Sequence, residues 1–217
     1  MARGILAAAA AVVLAAQFTG TAHAGVLWDN GGPATTNLGG SQMSDTIQAE
    51  DFQLSGQYTL TGITFWNLQG VPADYTGSIF WQILSDAAGT PGAVVDSGTA
   101  TPTRSAAGSM LGLSQFQNDF AVSTFLTAGT YWLALHNGPL SATSFTDFYW
   151  TWTDLNATNT GTNRGQEFGL DPLATSFTTN DQEHAFSISG SGVPEPGTVS
   201  LAIFGIAGFA LRRWYAR

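Results

Sequence analysis

Strand-length runs of alternating side chains, each cut short by a turn signal, recur through the middle of this chain. Residues 77–84 are the clearest: Ile79, Trp81 and Ile83 alternate with Phe80, Gln82 and Leu84, which offers apolar contact on both faces. A period of two belongs to extended backbone, whose side chains point to opposite faces in turn. Residues 25–28, 46–54, 58–67, 93–100, 116–122, 129–136, 145–153 and 183–189 read the same way. In 58–67, Ile63 and Phe65 share a face, with Leu60, Thr64 and Trp66 on the other. In 46–54, Ile47 and Ala49 alternate against Gln48 and Glu50. Between the runs stand Asp29-Asn30-Gly31-Gly32-Pro33, residues 70–75 and residues 85–92, all turn or loop signals. Residues 37–45 and 158–165 read as loops, and Ser189-Gly190-Ser191-Gly192 as a flexible linker. Several short strands spaced by turns predict an all-β domain over 25–189, an antiparallel β-sandwich of jelly-roll type, with helix confined to the two termini.

The two ends have a different character. Residues 1–24 carry Arg3, an apolar run over 5–16, and Ala22-His23-Ala24. A basic start, a short apolar core and an A-x-A site are the parts of a secretory signal peptide, with cleavage by signal peptidase expected before Gly25. At the other end, residues 190–197 form a linker and a Val193-Pro194-Glu195-Pro196-Gly197 motif. Each proline fixes φ and pushes its predecessor out of helix, so this motif should be extended and accessible. Residues 198–211 are almost entirely apolar and carry no charge, and 212–217 are basic and aromatic, with Arg212, Arg213, Trp214, Tyr215 and Arg217. A helix from Gly197 to Leu211 would rise about 22 Å, short of a hydrocarbon core of ~30 Å. Its flanks compensate: arginines suit the cytoplasmic side and the two aromatics suit the headgroup layer. The expectation is a transmembrane helix over 198–211 and a basic cytoplasmic tail over 212–217.

Pro-Glu-Pro, the apolar run and the arginine pair, in that order, resemble the PEP-CTERM sorting signal of Gram-negative bacteria. The resemblance covers roughly the last 25 residues. The same tail is also labelled the C-terminal domain of ice-binding proteins. The resemblance implies an exosortase-type sorting enzyme as partner, in cells that usually make extracellular polysaccharide. It implies an inner-membrane intermediate delivered to the cell surface or extracellular matrix. The middle also resembles an exported domain found ahead of such tails, through Gln48-Ala49-Glu50-Asp51-Phe52, Gly62-Ile63-Thr64-Phe65-Trp66, Gly89-Thr90-Pro91-Gly92, Gly129-Thr130-Tyr131-Trp132-Leu133 and Gln182-Glu183-His184-Ala185-Phe186. That resemblance supports a β-sandwich and carries over no activity.

Charge narrows the partners. The formal net charge is −9, no lysine is present, and between Gly25 and Gly192 the only cations are Arg104 and Arg164. Such a surface repels phosphate backbones, so nucleic acid is excluded as a partner, whereas neutral glycans and calcium are compatible. With no cysteine there is neither a disulfide framework nor a thiolate site. No nucleophile elbow, phosphate-cradling loop or H-E-x-x-H motif occurs. Catalysis would therefore rest on the carboxylates Glu50, Asp51 and Glu183 or on His136 and His184. Glu50 and Asp51 are neighbours in a strand and face opposite sides, so they cannot act as an adjacent acid–base pair. The expectation is that the protein is not an enzyme. Asp29, Asp45, Glu50 and Asp51 are candidate calcium ligands if the first loop folds over the second strand. Tyr149, Trp150 and Trp152 are the candidate glycan platform. Thr101 with Thr103, and Thr151 with Thr153, do not repeat regularly enough for an ice-binding array. The function expected is a structural or adhesive component associated with exopolysaccharide. A glycan-binding module comes second, ahead of a glycan-active enzyme or an ice-binding protein.

Overall fold

The computed structural model describes residues 24–154, 166–169 and 176–193. Residues 24–191 make one compact unit. The cleavage residue Ala22, the sorting-motif residues Pro194 to Gly197 and the basic residues Arg212, Arg213 and Arg217 lie outside the described residues. Among the described residues no helix is long and apolar enough to cross a membrane.

Among the described residues thirteen strands appear in chain order: β1 (Gly25–Asp29), β2 (Gly40–Gln42), β3 (Thr46–Leu54), β4 (Tyr58–Gln69), β5 (Ile79–Asp86), β6 (Pro91–Ala100), β7 (Thr103–Met110), β8 (Leu113–Leu126), β9 (Gly129–Asn137), β10 (Phe148–Thr151), β11 (Gln166–Gly169), β12 (Thr178–Thr179) and β13 (Phe186–Gly192). A three-residue 3-10 turn, Pro72–Asp74, is the sole helical element among the described residues. One sheet has the order β1-β13-β4-β10-β2, with β8 added to β4 and β7 to β8. The other runs β12-β11-β3-β9-β5-β6. The pairings between named strands are antiparallel.

The two sheets share one apolar core, as in a β-sandwich. Phe52, Leu54, Ile79, Ile83, Leu133 and Leu135 come from one sheet; Leu60, Ile63, Phe65, Phe120, Phe148, Trp150, Phe186 and Ile188 come from the other. A smaller second core of Ile47, Ala49, Leu84, Trp132 and Ala134 lies on the far side of β3, β5 and β9, with Phe168 and Phe177 packed on it. Because β3 and β9 are covered on both faces, they are buried almost throughout.

That second layer reverses the sense of β3. The alternation of Ile47 and Ala49 against Gln48 and Glu50 is present, but the apolar pair lies under the outer layer. Gln48 and Glu50, on the face shared with Phe52, are turned into the interior and are fully buried. In β4 a bulge between Leu60 and Gly62 shifts the phase, so Leu60 joins Ile63 and Phe65 in the core instead of facing away. Residues 40–42, in a stretch expected to be loop, form the edge strand β2, and β7 is a further strand that apolar alternation does not reveal. Most residues of β7 are exposed, so it needs no apolar face. Residues 189–192 correct the reading as a flexible linker: β13 continues through Gly192, and Gly190 pairs with Gly25. Glycine is required there for packing, since a Cβ on Gly190 would lie 2.5 Å from the Thr59 carbonyl oxygen and 2.6 Å from Leu27 Cδ1.

Candidate functional site

The conspicuous buried polar cluster is assembled where β2, β3 and β10 meet the segment leading into β13. Ser41 of β2 is in register with Trp150 of β10, so both side chains face the interior. Glu50 arrives from β3. His184 is held beside β10 by a bridge to Trp152. Its ring rests on Trp150 at 4.7 Å between centroids.

His184 Nδ1 is 2.7 Å from Glu50 Oε2, and Nε2 is 2.8 Å from Ser41 Oγ. The His184 backbone N–H donates to the same Glu50 Oε2 at 2.9 Å. Trp152 Nε1 donates to Ser41 Oγ at 2.9 Å, and Asn180 Nδ2 at 3.4 Å. Asn180 also donates to Gln48 Oε1 at 2.8 Å. Asn30 Nδ2 donates to the His184 carbonyl at 2.9 Å and to Glu183 Oε2 at 3.3 Å. Glu50 and His184 are fully buried, and Ser41 is 8% exposed.

Serine, histidine and carboxylate stand here in the order of a nucleophile, base and orienting group. The hydroxyl's valences decide what that order can do. Ser41 has one proton to donate and two lone pairs. Two donors, Trp152 and Asn180, occupy the lone pairs, so the proton goes to His184 Nε2. His184 then carries its own proton on Nδ1, directed at Glu50. Every hydrogen-bonding position on Ser41 Oγ is taken by a protein group, the Asn180 contact being the longest at 3.4 Å. The arrangement is a tie between strands.

Burial governs the charge of this tie. It drives His184 down to about 3, so the ring is neutral at physiological pH. Burial also raises Glu50 well above the ordinary carboxylate range, helped by the charges of Glu183 and Asp51. The backbone N–H groups of His184 and Asp51 oppose this and are outweighed. Glu50 Oε1 has no hydrogen-bond partner among the described residues.

The four candidate calcium ligands do not converge. Asp29 is exposed and accepts the Gly31 N–H at 2.9 Å, while Asp45 is half-buried; Glu50 belongs to the histidine tie, and Asp51 leaves β3 on the opposite face. Among the described residues no group of three or more His, Asp or Glu side chains is placed to hold a metal ion.

The expected aromatic platform divides. Trp150 is fully buried, packed edge-on against Phe65 at 6.2 Å and Phe186 at 5.8 Å, with Nε1 donating to the Ala185 carbonyl at 2.9 Å. It cannot stack on a ligand. Tyr149 points the other way and, with Trp152, stays half-exposed. These two line a groove of about 280 Å³ together with Leu38, Gly39, Gly40, Leu68, Leu111 and Leu113. The rings are fixed at their polar ends, Trp152 on Ser41 and Tyr149 by a 2.8 Å bond to Asp147 Oδ1. Burial pushes the Tyr149 hydroxyl up to about 12, reinforced by the Asp147 bond and by the charges of Asp147, Asp74 and Asp45. The bare backbone of Gly39 leaves space for the Trp152 ring, which a Cβ would meet at 2.3 Å.

Three residues that shape this region carry no signal in the local pattern. Asp154 accepts from the N–H and hydroxyl groups of both Thr35 and Thr36 and from the Asn37 N–H, pinning the loop ahead of Leu38. Those bonds, led by the Thr36 hydroxyl, hold its carboxyl below the usual range. Arg104 is clamped between the Tyr75 and Phe116 rings at 4.2 and 4.3 Å and donates to Asn118, Asn67 and Gln69. Leu111 occupies the tight turn between β7 and β8 with φ +52°, followed by Gly112 at +83°. Such two-residue turns favour Asn-Gly, and a leucine in the left-handed region costs roughly 1–2 kcal/mol. A slip in the alternation could have exposed none of these, since each depends on a contact made at long range or on a backbone angle.

No protein-family model matches this chain, and no curated protein matches it.

Proposed function

We propose that this protein is an exported, tail-sorted component of a bacterial cell surface or extracellular matrix, structural or adhesive and associated with exopolysaccharide. The observation that carries this reading is where the folded unit lies. β1 begins at Gly25, the residue after Ala22-His23-Ala24, and β13 ends at Gly192, two residues before Pro194. The first and last strands pair with one another, Gly25 opposite Gly190. The sandwich therefore occupies the interval between the two motifs, and cutting at either motif would leave its hydrogen-bonded ladder whole. That is what removable address tags require. The filled valences of Ser41 favour a non-catalytic module over an enzyme.

Finer parts of the proposal are a jelly-roll connectivity for the two sheets, a signal-peptide helix, a membrane-spanning helix over 198–211, and recognition of Val193-Pro194-Glu195-Pro196-Gly197 by an exosortase-type enzyme at the inner membrane. The alternation of β3, β4, β5, β8 and β9 between sheets supports the first. The test is mass analysis of the surface fraction in a Gram-negative host that carries the sorting enzyme. The mature chain should begin at Gly25 and lack the tail, and deleting 194–217 should abolish surface delivery. Unchanged delivery and an unchanged mass pattern after that deletion would refute the reading.

A further inference from the structure

We infer that the groove between Tyr149, Trp152 and Leu111 is a binding site for an uncharged glycan. This deepens the matrix reading above and rests on it. Two independent observations point to a ligand at this groove. The first is Leu111. An apolar side chain, 66% exposed, is held at a positive φ where asparagine or glycine would sit without strain. The β7–β8 hairpin demands the positive φ, but it does not demand a leucine, and an unfavoured exposed residue at a surface concavity is a hypothesis of function. Here the turn places a leucine on the wall of the groove that the two aromatic rings also line. The second is the pair of rings itself. Both stay half-exposed, and both are locked by hydrogen bonds at their polar ends, Trp152 through Ser41 and Tyr149 through Asp147. Fixed rings lose no rotamer freedom when a ligand stacks on them.

The charge around the groove selects the class of ligand. Asp147, Asp74 and Asp45 all lie close enough to Tyr149 for their charges to act on its hydroxyl. Among the described residues the only cationic side chain of Lys or Arg type is Arg104, which is occupied by Tyr75, Phe116 and three amides. A uronate or sulfated sugar would meet repulsion that no unoccupied cation among the described residues offsets. A neutral sugar has what this surface can use: an apolar C–H face for the rings and leucines, and hydroxyl protons for carboxylate oxygens. The groove volume of about 280 Å³ lies just below the usual range for enclosed ligand sites, which suits a short stretch of a linear polymer lying across the surface.

The experiment is isothermal titration calorimetry on the full chain in lipid nanodiscs, with cellohexaose and isomaltohexaose as neutral probes, hexagalacturonate as the acidic probe, and a capped apolar hexapeptide. At least one neutral hexasaccharide should bind and hexagalacturonate should not. Leu111→Asn accepts the left-handed backbone without adding charge, so it should keep the wild-type circular dichroism, with a urea midpoint at or above wild type, while binding at least about tenfold more weakly. Tyr149→Ala should weaken binding similarly. The inference is overturned if neither neutral sugar binds, if hexagalacturonate binds as well as the neutral sugars, if only the apolar peptide binds, or if Leu111→Asn and Tyr149→Ala bind sugar as tightly as wild type. Those failures would leave the export reading standing. Loss of that reading through the 194–217 deletion would leave the groove result untouched.

Discussion

Trp150→Ala separates a core residue from a ligand platform, and its cost follows from the packing. The indole is fully buried among Phe65, Phe186 and His184. Truncating a buried Trp or Phe to Ala costs roughly 3–5 kcal/mol in lost transfer energy and cavity. The hydrogen bond from Nε1 to the Ala185 carbonyl also goes. That carbonyl keeps a second donor, the Trp66 N–H at 3.4 Å, so its loss adds only about 1 kcal/mol. The total, roughly 4–6 kcal/mol, is a large part of the 5–15 kcal/mol that holds a typical domain together. With a urea slope of about 2 kcal/mol per molar, the midpoint should fall by roughly 2–3 M, read by far-ultraviolet circular dichroism. Trp150→Phe keeps most of the ring and should lose clearly less. A fall below about 0.5 M for Trp150→Ala, or a loss of sugar binding with no loss of stability, would refute the placement of this side chain in the core.

Two further outcomes are expected. His184 has its folded pKa depressed by burial to about 3, so its contribution to stability is present above pH 6.5 and is lost as pH falls toward 3. Glu50, raised by burial and by Glu183 and Asp51, works in the opposite sense: its contribution is present at low pH and is lost as pH rises through its raised value. In urea titrations between pH 7 and 4, Glu50→Gln should therefore lose stability more steeply on acidification than wild type, and His184→Asn less steeply; identical slopes in all three would show that the pair does not titrate as buried groups. Gly190→Ala should be destabilising by roughly 1–3 kcal/mol, because the new methyl meets the Thr59 carbonyl, which is backbone and cannot swing aside. Thermal melts that match wild type would mean that residues 189–192 are a linker after all.

Local pattern determined a good deal about this protein. Alternation and turn signals located β1, β3, β4, β5, β6, β8, β9, β10 and β13 to within a few residues, because a half-buried strand must alternate and must end where the chain turns. Turning an alternating run into a statement about which face is buried was beyond it. In β3 the polar face went inward, since an outer layer around Phe168 and Phe177 covers Ile47 and Ala49 while His184 and Ser41 wait on the inner side. The same limit hid the site. Ser41, Glu50 and His184 are spread over more than 140 positions of sequence, and only the pairing of β2 with β10, and the bridge from Trp152 to His184, bring them within hydrogen-bond reach. Trp150 and Trp152 differ in fate for an equally nonlocal reason: one packs into the core against Phe65 and Phe186 from other strands of its sheet, while the other lies across Gly39 at the mouth of a groove. Period and turn chemistry act between neighbours and can be read along the chain. Burial, valence and charge are properties of what folds against a residue, and the tertiary structure alone decided them.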